Sequence, residues 1–199
     1  MKKSILMLSA TAVCAAAFGF GACSCNKGGD GRDSVSFLNE MLDANYSQII
    51  LTVTDTFDKD TSLESEYIIN YSENEITVEY TVEEFSSLSL GDSSTDFKTV
   101  KSGTATIKDG KVAFVGDDVG ISADFANPKF NFKEEYFENV DLKDISFKAD
   151  VKNPTAFLGL SVNYSDMKVS AIFVNIFTSL RISYTENGRQ VEYNYEFSR

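Results

Sequence analysis

The sequence contains no histidine and no tryptophan, and its three cysteines all lie before residue 26. The chain beyond that point therefore cannot build a zinc site from His and Cys ligands, and a Ser-His-Asp triad cannot form. It cannot form an internal disulfide either, so its stability must come from a packed core. The sequence accordingly predicts no catalytic residue, no metal and no other cofactor, and we do not expect an enzyme.

Positive charge is also scarce. The chain of 199 residues carries 30 acidic and 18 basic side chains, for a formal net charge of -12 at pH 7. A surface this negative repels the phosphates of nucleic acids and of anionic lipid headgroups. Hydrophobic residues make up 43% of the chain, which is enough for a packed core. We therefore expect a folded domain that does not bind nucleic acid.

The N-terminal segment has the features of a secretory signal. Met1-Lys2-Lys3 is a short positive region, and residues 5–20 are mostly apolar, although the run is short for a membrane-spanning helix. The segment ends in Phe20-Gly21-Ala22-Cys23, which resembles the lipobox at which bacterial lipoprotein precursors are cleaved and lipidated. Phe20 stands where leucine is usual. We predict a signal peptide over residues 1–22.

Cys23 is the predicted lipidation site, and Cys25 is the second choice. Cys23 follows the small residues Gly21 and Ala22, which suit a narrow peptidase site, whereas Cys25 follows Ser24 and Cys23. A diacylated cysteine carries two acyl chains, which anchor a protein stably where one chain does not. The expected product is a lipoprotein on the extracytoplasmic side of the cell envelope, held to the membrane by its N-terminus. The alternative is an ordinary cleavage site without a lipid.

The composition then separates a tether from a folded domain. Residues 23–33 contain three glycines and no large apolar side chain, which is typical of a flexible spacer. Residues 34–199 are expected to form one antiparallel β-rich domain. It should begin with a helix from Asp33 or Ser34 to about Ala44, because one helical face collects the apolar residues Phe37, Leu38, Met41 and Leu42.

Alternation of apolar and polar residues predicts nine or ten strands after this helix. The clearest run is 76–83, which has one apolar and one polar face. Asp109-Gly110 and Asn187-Gly188 suit two-residue hairpin turns, because both central residues of such turns need positive φ. A two-residue loop at Asn187-Gly188 pairs apolar residues on one face, namely Leu180 with Tyr195, Ile182 with Tyr193, and Tyr184 with Val191.

Two short helical turns are predicted between the hairpins. One covers residues 133–137, shortly after the chain break at Asn127-Pro128. The other begins at Asn153-Pro154, because Asn is a good helix cap and Pro fits the first helical position. The predicted fold class is therefore mainly β (α+β). We expect a curved antiparallel sheet, or half-barrel, covered by an N-terminal helix and one or two short helical turns.

This layout resembles the lipoprotein-carrier fold of the LolA/LolB type and related bacterial envelope lipoproteins. The likeness covers most of residues 34–199, and the local features that carry it are residues 48–57, 64–71 and 179–197. Such carriers often show an Arg-Pro pair and a tryptophan after the second strand, where this chain has Ile69-Asn70-Tyr71. The resemblance implies a curved sheet around an apolar hollow, and with it a lipid-like or other apolar ligand.

Aromatic residues are the candidates for lining such a hollow, and they are Phe130, Phe132, Tyr136, Phe137, Tyr184, Tyr193 and Tyr195. One hypothesis is that they contact a bound apolar ligand. The other is that they form an ordinary core, so that the protein acts through its outer surface as a structural or protein-interaction lipoprotein. The size of the internal apolar cavity distinguishes the two.

Acidic residues cluster around the first hairpin turn, at Asp55, Asp58, Asp60 and Glu64. Oxygen ligands at alternating positions can bind calcium, but the glycine that an EF-hand loop needs at its sixth position is missing. We interpret the cluster as a solvated acidic turn.

Overall fold

The computed structural model describes residues 34–58, 60–87 and 95–199. The predicted signal peptide, the tether and both candidate lipidation sites, Cys23 and Cys25, lie outside these residues, as does most of the loop expected between Ser86 and Asp96. The described part of the chain forms one open antiparallel sheet of ten strands with few helices, so it is mainly β as predicted. None of its helices is long and apolar enough to cross a membrane.

The elements fall into two halves of five strands each. The first half consists of α1 (Phe37–Leu42), β1 (Gln48–Thr56), β2 (Thr61–Tyr71), β3 (Ile76–Ser87), β4 (Thr95–Lys108) and β5 (Lys111–Gly116). The second half consists of a 3-10 turn (Glu134–Tyr136), β6 (Phe137–Lys143), β7 (Ser146–Val151), α2 (Pro154–Leu158), β8 (Ser165–Phe173), β9 (Phe177–Glu186) and β10 (Arg189–Ser198).

The first and last strands of the chain lie side by side at the centre of the sheet. The strand order is β5-β4-β3-β2-β1-β10-β9-β8-β7-β6, so each half is a simple meander that runs outward from the centre. β1 pairs with β10 along its whole length, from Gln48 opposite Ser198 to Thr56 opposite Gln190. This pairing joins the two meanders into one sheet with β5 and β6 at its edges.

The segment between the edge strands, residues 117–136, covers one face of the sheet. Its buried side chains include Phe125, Phe130 and Phe132. The ring centroid of Phe125 lies 4.8 Å from that of Tyr67 on β2, and the centroid of Phe130 lies 5.7 Å from that of Tyr195 on β10. The connecting segment thereby packs on the apolar face of both meanders.

The Asn187-Gly188 hairpin has the predicted turn and register. Asn187 and Gly188 have φ values of 51° and 81°, and Glu186 pairs with Arg189. Tyr184 lies opposite Val191 as predicted. Asp109 and Gly110 form the corresponding turn between β4 and β5. In both hairpins the turn residues determine the register because only a two-residue loop satisfies their backbone geometry.

The predicted helical turn at Asn153-Pro154 is confirmed as α2. The Asn153 side chain accepts a hydrogen bond from the backbone N–H of Ala156 at 3.1 Å, and Pro154 occupies the first helical position. Gly159 ends the helix in the left-handed conformation with φ of 67°. The turn predicted over residues 133–137 is present as the 3-10 turn.

Tyr46 connects the chain before β1 to the start of β9. Its hydroxyl donates a hydrogen bond to the carbonyl of Met41 at 2.7 Å and accepts one from the N–H of Phe177 at 3.2 Å. The Tyr46 ring packs on Phe197 with centroids 4.8 Å apart. Burial raises the pKa of Tyr46 above its ordinary value, although the Phe177 N–H and the charge of Arg199 act in the opposite direction.

Candidate functional site

The phenylalanines predicted to line a hollow are packed against one another. Phe132 has no solvent exposure, and its ring lies 5.9 Å from those of Phe137 and Phe147 and 5.4 Å from that of Phe157. Phe130 stacks on Phe157 at 5.5 Å. These rings come from the connecting segment, β6, β7 and α2. Centroid distances of 4.5–7 Å are those of favourable aromatic pairs, so the rings fill the space between these elements.

The predicted tyrosines continue this cluster along β9 and β10. From Phe130, successive ring contacts lead to Tyr195, then to Tyr193 at 6.5 Å and to Tyr184 at 6.0 Å. Alternate residues of a strand point to the same face, which places Tyr193 and Tyr195 side by side. The row ends in Tyr164, which stacks on Tyr184 at 3.9 Å. We call the row Phe130, Tyr195, Tyr193, Tyr184 and Tyr164 the aromatic ladder.

Tyr136 packs against the core that contains the other six predicted residues but is only partly buried. It is half-buried on the 3-10 turn, and the ammonium of Lys133 lies 5.6 Å from its ring centroid. This contact is a cation–π pair near the surface. The structure therefore brings Phe130, Phe132, Phe137, Tyr184, Tyr193 and Tyr195 together and leaves Tyr136 beside them.

The hydroxyl groups of three ladder tyrosines are held neutral. Burial is the main cause of the raised pKa values of Tyr164, Tyr184 and Tyr193, since a phenolate loses hydration in an apolar surrounding. The neighbouring tyrosines raise the pKa of Tyr184 further. The carboxylate of Glu186 acts in the same direction on Tyr164 and Tyr193. These hydroxyls are therefore hydrogen-bonding groups at neutral pH.

A charged cluster lies at the same end of the sheet as Tyr184. Arg189 Nη1 lies 2.8 Å from an Asp55 carboxylate oxygen, and its Nη2 lies 3.6 Å from Glu186. The second carboxylate oxygen of Asp55, Oδ1, is buried and has no hydrogen-bond partner. Burial raises the pKa of Asp55 although Arg189 lowers it. Asp55 is thus a partly buried ion-pair partner, and the interpretation of this residue as part of a solvated acidic turn is wrong.

A groove of about 440 Å³ crosses the polar face of the sheet. It spans β8, β9, β10 and β1, and cross-strand partners on this face include Thr54 opposite Glu192 and Glu192 opposite Ser183. β8 has a bulge between Ser165 and Lys168, where Asp166 adopts a φ of 52°. A bulge bends its strand and can redirect side chains. The groove is lined by Thr54, Thr56, Asp166, Lys168, Arg181, Ser183, Tyr184, Thr185, Gln190, Val191 and Glu192.

The groove is built for hydrogen bonding. It has four hydroxyl groups from threonine and serine, the carboxamide of Gln190, and two cations, Lys168 and Arg181. Arg181 pairs with Glu192 across β9 and β10, and both side chains retain substantial exposure. Exposed ion pairs of this kind contribute little to stability and can exchange partners readily. Within the described residues, no group of three or more His, Cys, Asp or Glu side chains is arranged to hold a metal ion.

Sequence reasoning missed two components of this region. Tyr164 lies between strands, where no periodic pattern indicates which way a side chain points. Phe157 belongs to a helix of only one turn, which is too short to show an apolar face. The polar set of the last hairpin, which includes Arg181 and Glu192, was recognisable as the outer face. That these residues border a groove depends on the bulge in β8.

No family model matches the chain, and a comparison with curated proteins finds no match.

Proposed function

We propose that the protein is a lipid-anchored envelope protein without enzymatic activity, whose sheet has a self-filled core and which binds a protein partner on its outer face. The packing around Phe132 is the observation that supports this proposal. This ring is fully buried and contacts three other phenylalanine rings within 6 Å. An apolar ligand would have to displace these rings, whereas a partner on the outer face requires no rearrangement of the core.

The groove on the polar face is the proposed contact surface. Its lining carries two cations, Lys168 and Arg181, and two carboxylates, Asp166 and Glu192, so the groove is charge-balanced in a chain with a net charge of -12. Hydroxyl and amide groups flank them. This combination suits a polar peptide segment that carries carboxylates, because charge-assisted hydrogen bonds to carboxylate are stronger than neutral ones.

Anchoring is tested with two matched cysteine substitutions. Cys23→Ala is expected to move the protein from the membrane to the aqueous fraction and to remove the diacyl mass from its N-terminus. Cys25→Ala should leave both properties unchanged. The opposite result would assign the lipid to Cys25, and membrane attachment in both variants would contradict a lipid anchor at either residue.

The self-filled core is tested by native mass spectrometry of protein purified without denaturation, together with an apolar fluorescent dye. We expect no bound lipid and no dye binding. Phe132→Ala is a useful positive control, because removal of a buried ring leaves a cavity that an apolar dye can enter. A lipid that co-purifies in defined stoichiometry would contradict the proposal.

The groove is tested by site-specific photo-crosslinking in intact cells. A crosslinking amino acid at Gln190 lies in the groove, and one at Thr106 lies on the same polar face of β4, outside it. We expect a discrete product from position 190 that is lost when Arg181 is changed to Glu. Products of equal yield from both positions would show that the groove has no special role.

A second candidate function is the binding of a lipid-like ligand in a curved, half-barrel sheet. The observation that favours it is the aromatic ladder, which extends from the packed phenylalanines to the half-buried Tyr164. A ligand could enter at that end by displacing the Tyr164 ring. Under this alternative, Tyr164→Ala would increase dye binding and Tyr164→Trp would reduce it. Under the first proposal neither variant binds dye.

A further inference from the structure

Three aliphatic side chains are exposed together at one end of the sheet. Ile145 lies in the turn between β6 and β7, Ile172 lies near the end of β8, and Val174 lies in the turn after β8. Their exposed fractions are 57%, 53% and 60%. The Phe173 N–H donates to the Ile145 carbonyl at 3.0 Å, and Ile172 pairs with Ser146. The three residues are therefore neighbours, and we call them the aliphatic tip.

The chain enters the domain beside this tip. The ring of Phe37, at the start of α1, packs edge-on against Phe173 at 5.4 Å. Phe173 is fully buried and lies between Ile172 and Val174 in the chain. Ser34 precedes Phe37 by three residues, which span at most about 11 Å. The predicted lipid tether therefore joins the domain at the same end at which the aliphatic side chains are exposed.

The length of the tether limits how far this end can move from the membrane. Residues 23–33 number eleven and span at most about 40 Å when fully extended. A glycine-rich linker of eleven residues has an average end-to-end distance of about 20 Å. Tethering raises the local concentration of the tip at the lipid surface, so that even a weak contact is populated. The aliphatic tip is thus delivered to the bilayer interface.

The apolar contact at the tip favours the same orientation. The domain is acidic, and negative surfaces are repelled by anionic headgroups. Near the tip, Lys143 pairs with Asp141 at 2.9 Å, which partly neutralises the turn that carries Ile145. Transfer of exposed aliphatic side chains from water into the interfacial layer of a bilayer is favourable. Asp144 precedes Ile145 and leaves this turn slightly acidic, so approach with the tip first is favoured by its apolar contact.

From these observations we infer that Ile145, Ile172 and Val174 form a membrane-seating surface that contacts the bilayer when the protein is anchored. The inference rests on the proposed lipid anchor. It fixes the orientation of the sheet, with the Asn187-Gly188 turn directed away from the membrane, because successive antiparallel strands place that turn at the opposite end from the tip. The groove side of the molecule is then accessible to a partner.

The absence of tryptophan provides a direct test. In mature lipidated protein, Val174→Trp introduces a single reporter at the tip, and Ile172→Trp is a second one. Phe57→Trp is the matched control, because Phe57 is 44% exposed and lies beside Arg189, at the end of the sheet that carries the Asn187-Gly188 turn. Each variant is reconstituted in phosphatidylcholine vesicles with or without brominated phosphatidylcholine, and tryptophan emission is recorded.

We expect the tip tryptophans to shift to shorter wavelength and to be quenched at least about threefold more than the control, as apolar side chains in the interface reach the acyl boundary. Flotation with the vesicles and the mass of the N-terminus are measured on the same samples.

Lipidated, floating protein with equal quenching in all variants overturns the seating surface and leaves the anchor intact. Absence of the lipid overturns the anchor and the inference together. A blue shift that depends on protein concentration without vesicles would show that a second copy covers the tip, which also overturns the inference.

Discussion

The carboxamide of Asn39 pairs with both backbone groups of Phe132, a residue 93 positions away. Its Nδ2 donates to the Phe132 carbonyl at 3.0 Å, and its Oδ1 accepts from the Phe132 N–H at 2.8 Å. The same Nδ2 also donates to the carbonyl of Ser36. One side chain on α1 thus satisfies a backbone unit of the connecting segment, much as a neighbouring strand would. The position of the buried Phe132 ring depends on this pair.

Asn39→Ala is expected to lower the free energy of unfolding by about 1–3 kcal/mol, because it leaves two partly buried backbone groups without these hydrogen bonds. Urea unfolding followed by circular dichroism measures the change. Asn39→Asp should cost a similar amount, since a carboxylate cannot donate to the Phe132 carbonyl. The exposed Asn163 is a matched control, and Asn163→Ala should change stability by less than about 0.5 kcal/mol. Equal effects at both positions would contradict the role of the pair.

Glycine is required at position 103 because the side chain of Tyr80 lies too close to leave room for a Cβ atom. A Cβ atom at this position would lie 2.3 Å from the Tyr80 hydroxyl and 2.5 Å from the Val115 carbonyl oxygen. Tyr80 donates a hydrogen bond to the Asp117 carbonyl from this position. Gly103→Ala should therefore displace the ring and destabilise the fold by about 1–3 kcal/mol in urea unfolding.

The double variant Gly103→Ala with Tyr80→Phe shows whether the contact with the Tyr80 hydroxyl causes the destabilisation. Removal of the hydroxyl removes the closest atom, so the cost of Gly103→Ala should be smaller in the Tyr80→Phe background. The difference is a coupling free energy from a double-mutant cycle. Additive effects would show that the strain arises from the contacts that Tyr80→Phe leaves in place, with the Val115 carbonyl and the Tyr80 ring carbon Cζ.

Asn153→Ala removes the cap of α2. The N–H of Ala156 loses its side-chain acceptor, and the expected cost is about 0.5–2 kcal/mol. α2 carries Phe157, which stacks on Phe130. The loss should therefore increase hydrogen exchange at residues 154–158 more than in the central strands. Asn153→Asp keeps an acceptor and should retain most of the stability that Asn153→Ala loses. If Asn153→Asp is as unstable as Asn153→Ala, helix capping is not what Asn153 contributes to stability.

Alkaline pH should destabilise the domain. Three ladder tyrosines, Tyr164, Tyr184 and Tyr193, have pKa values in the folded state above their ordinary value of 10.0, mainly because of burial. Above pH 10 the unfolded chain releases these protons while the folded chain retains them. The contribution of these tyrosines to the free energy of unfolding is therefore complete below about pH 10. Above that pH the free energy of unfolding falls, by up to about 1.4 kcal/mol per pH unit for each tyrosine.

Urea unfolding between pH 8 and pH 11.5 measures this slope, and tyrosinate absorbance follows the titration without interference from tryptophan. Tyr184→Phe should make the slope shallower because it removes one ionisable group from the ladder. A slope unchanged from that of the unsubstituted protein would place the responsible groups elsewhere.

Local sequence patterns predicted several elements closely. The register of the last hairpin follows from Asn187-Gly188, and the start of α2 follows from Asn153-Pro154. In each case the controlling interaction joins residues only a few positions apart. The lipobox at Cys23 is a local pattern too, although it lies outside the described residues and remains a prediction.

The sequence by itself determined the β-rich class, the hairpin registers and the apolar face, because turn geometry and side-chain alternation act over short distances. Only the tertiary structure decided that β1 pairs with β10, that Asn39 holds Phe132, and that Tyr164 stacks on Tyr184. These contacts join residues that lie far apart in the chain or outside any periodic element, and many alternative partners have similar chemistry. Their choice depends on how the ten strands, the connecting segment and the helices fill space together.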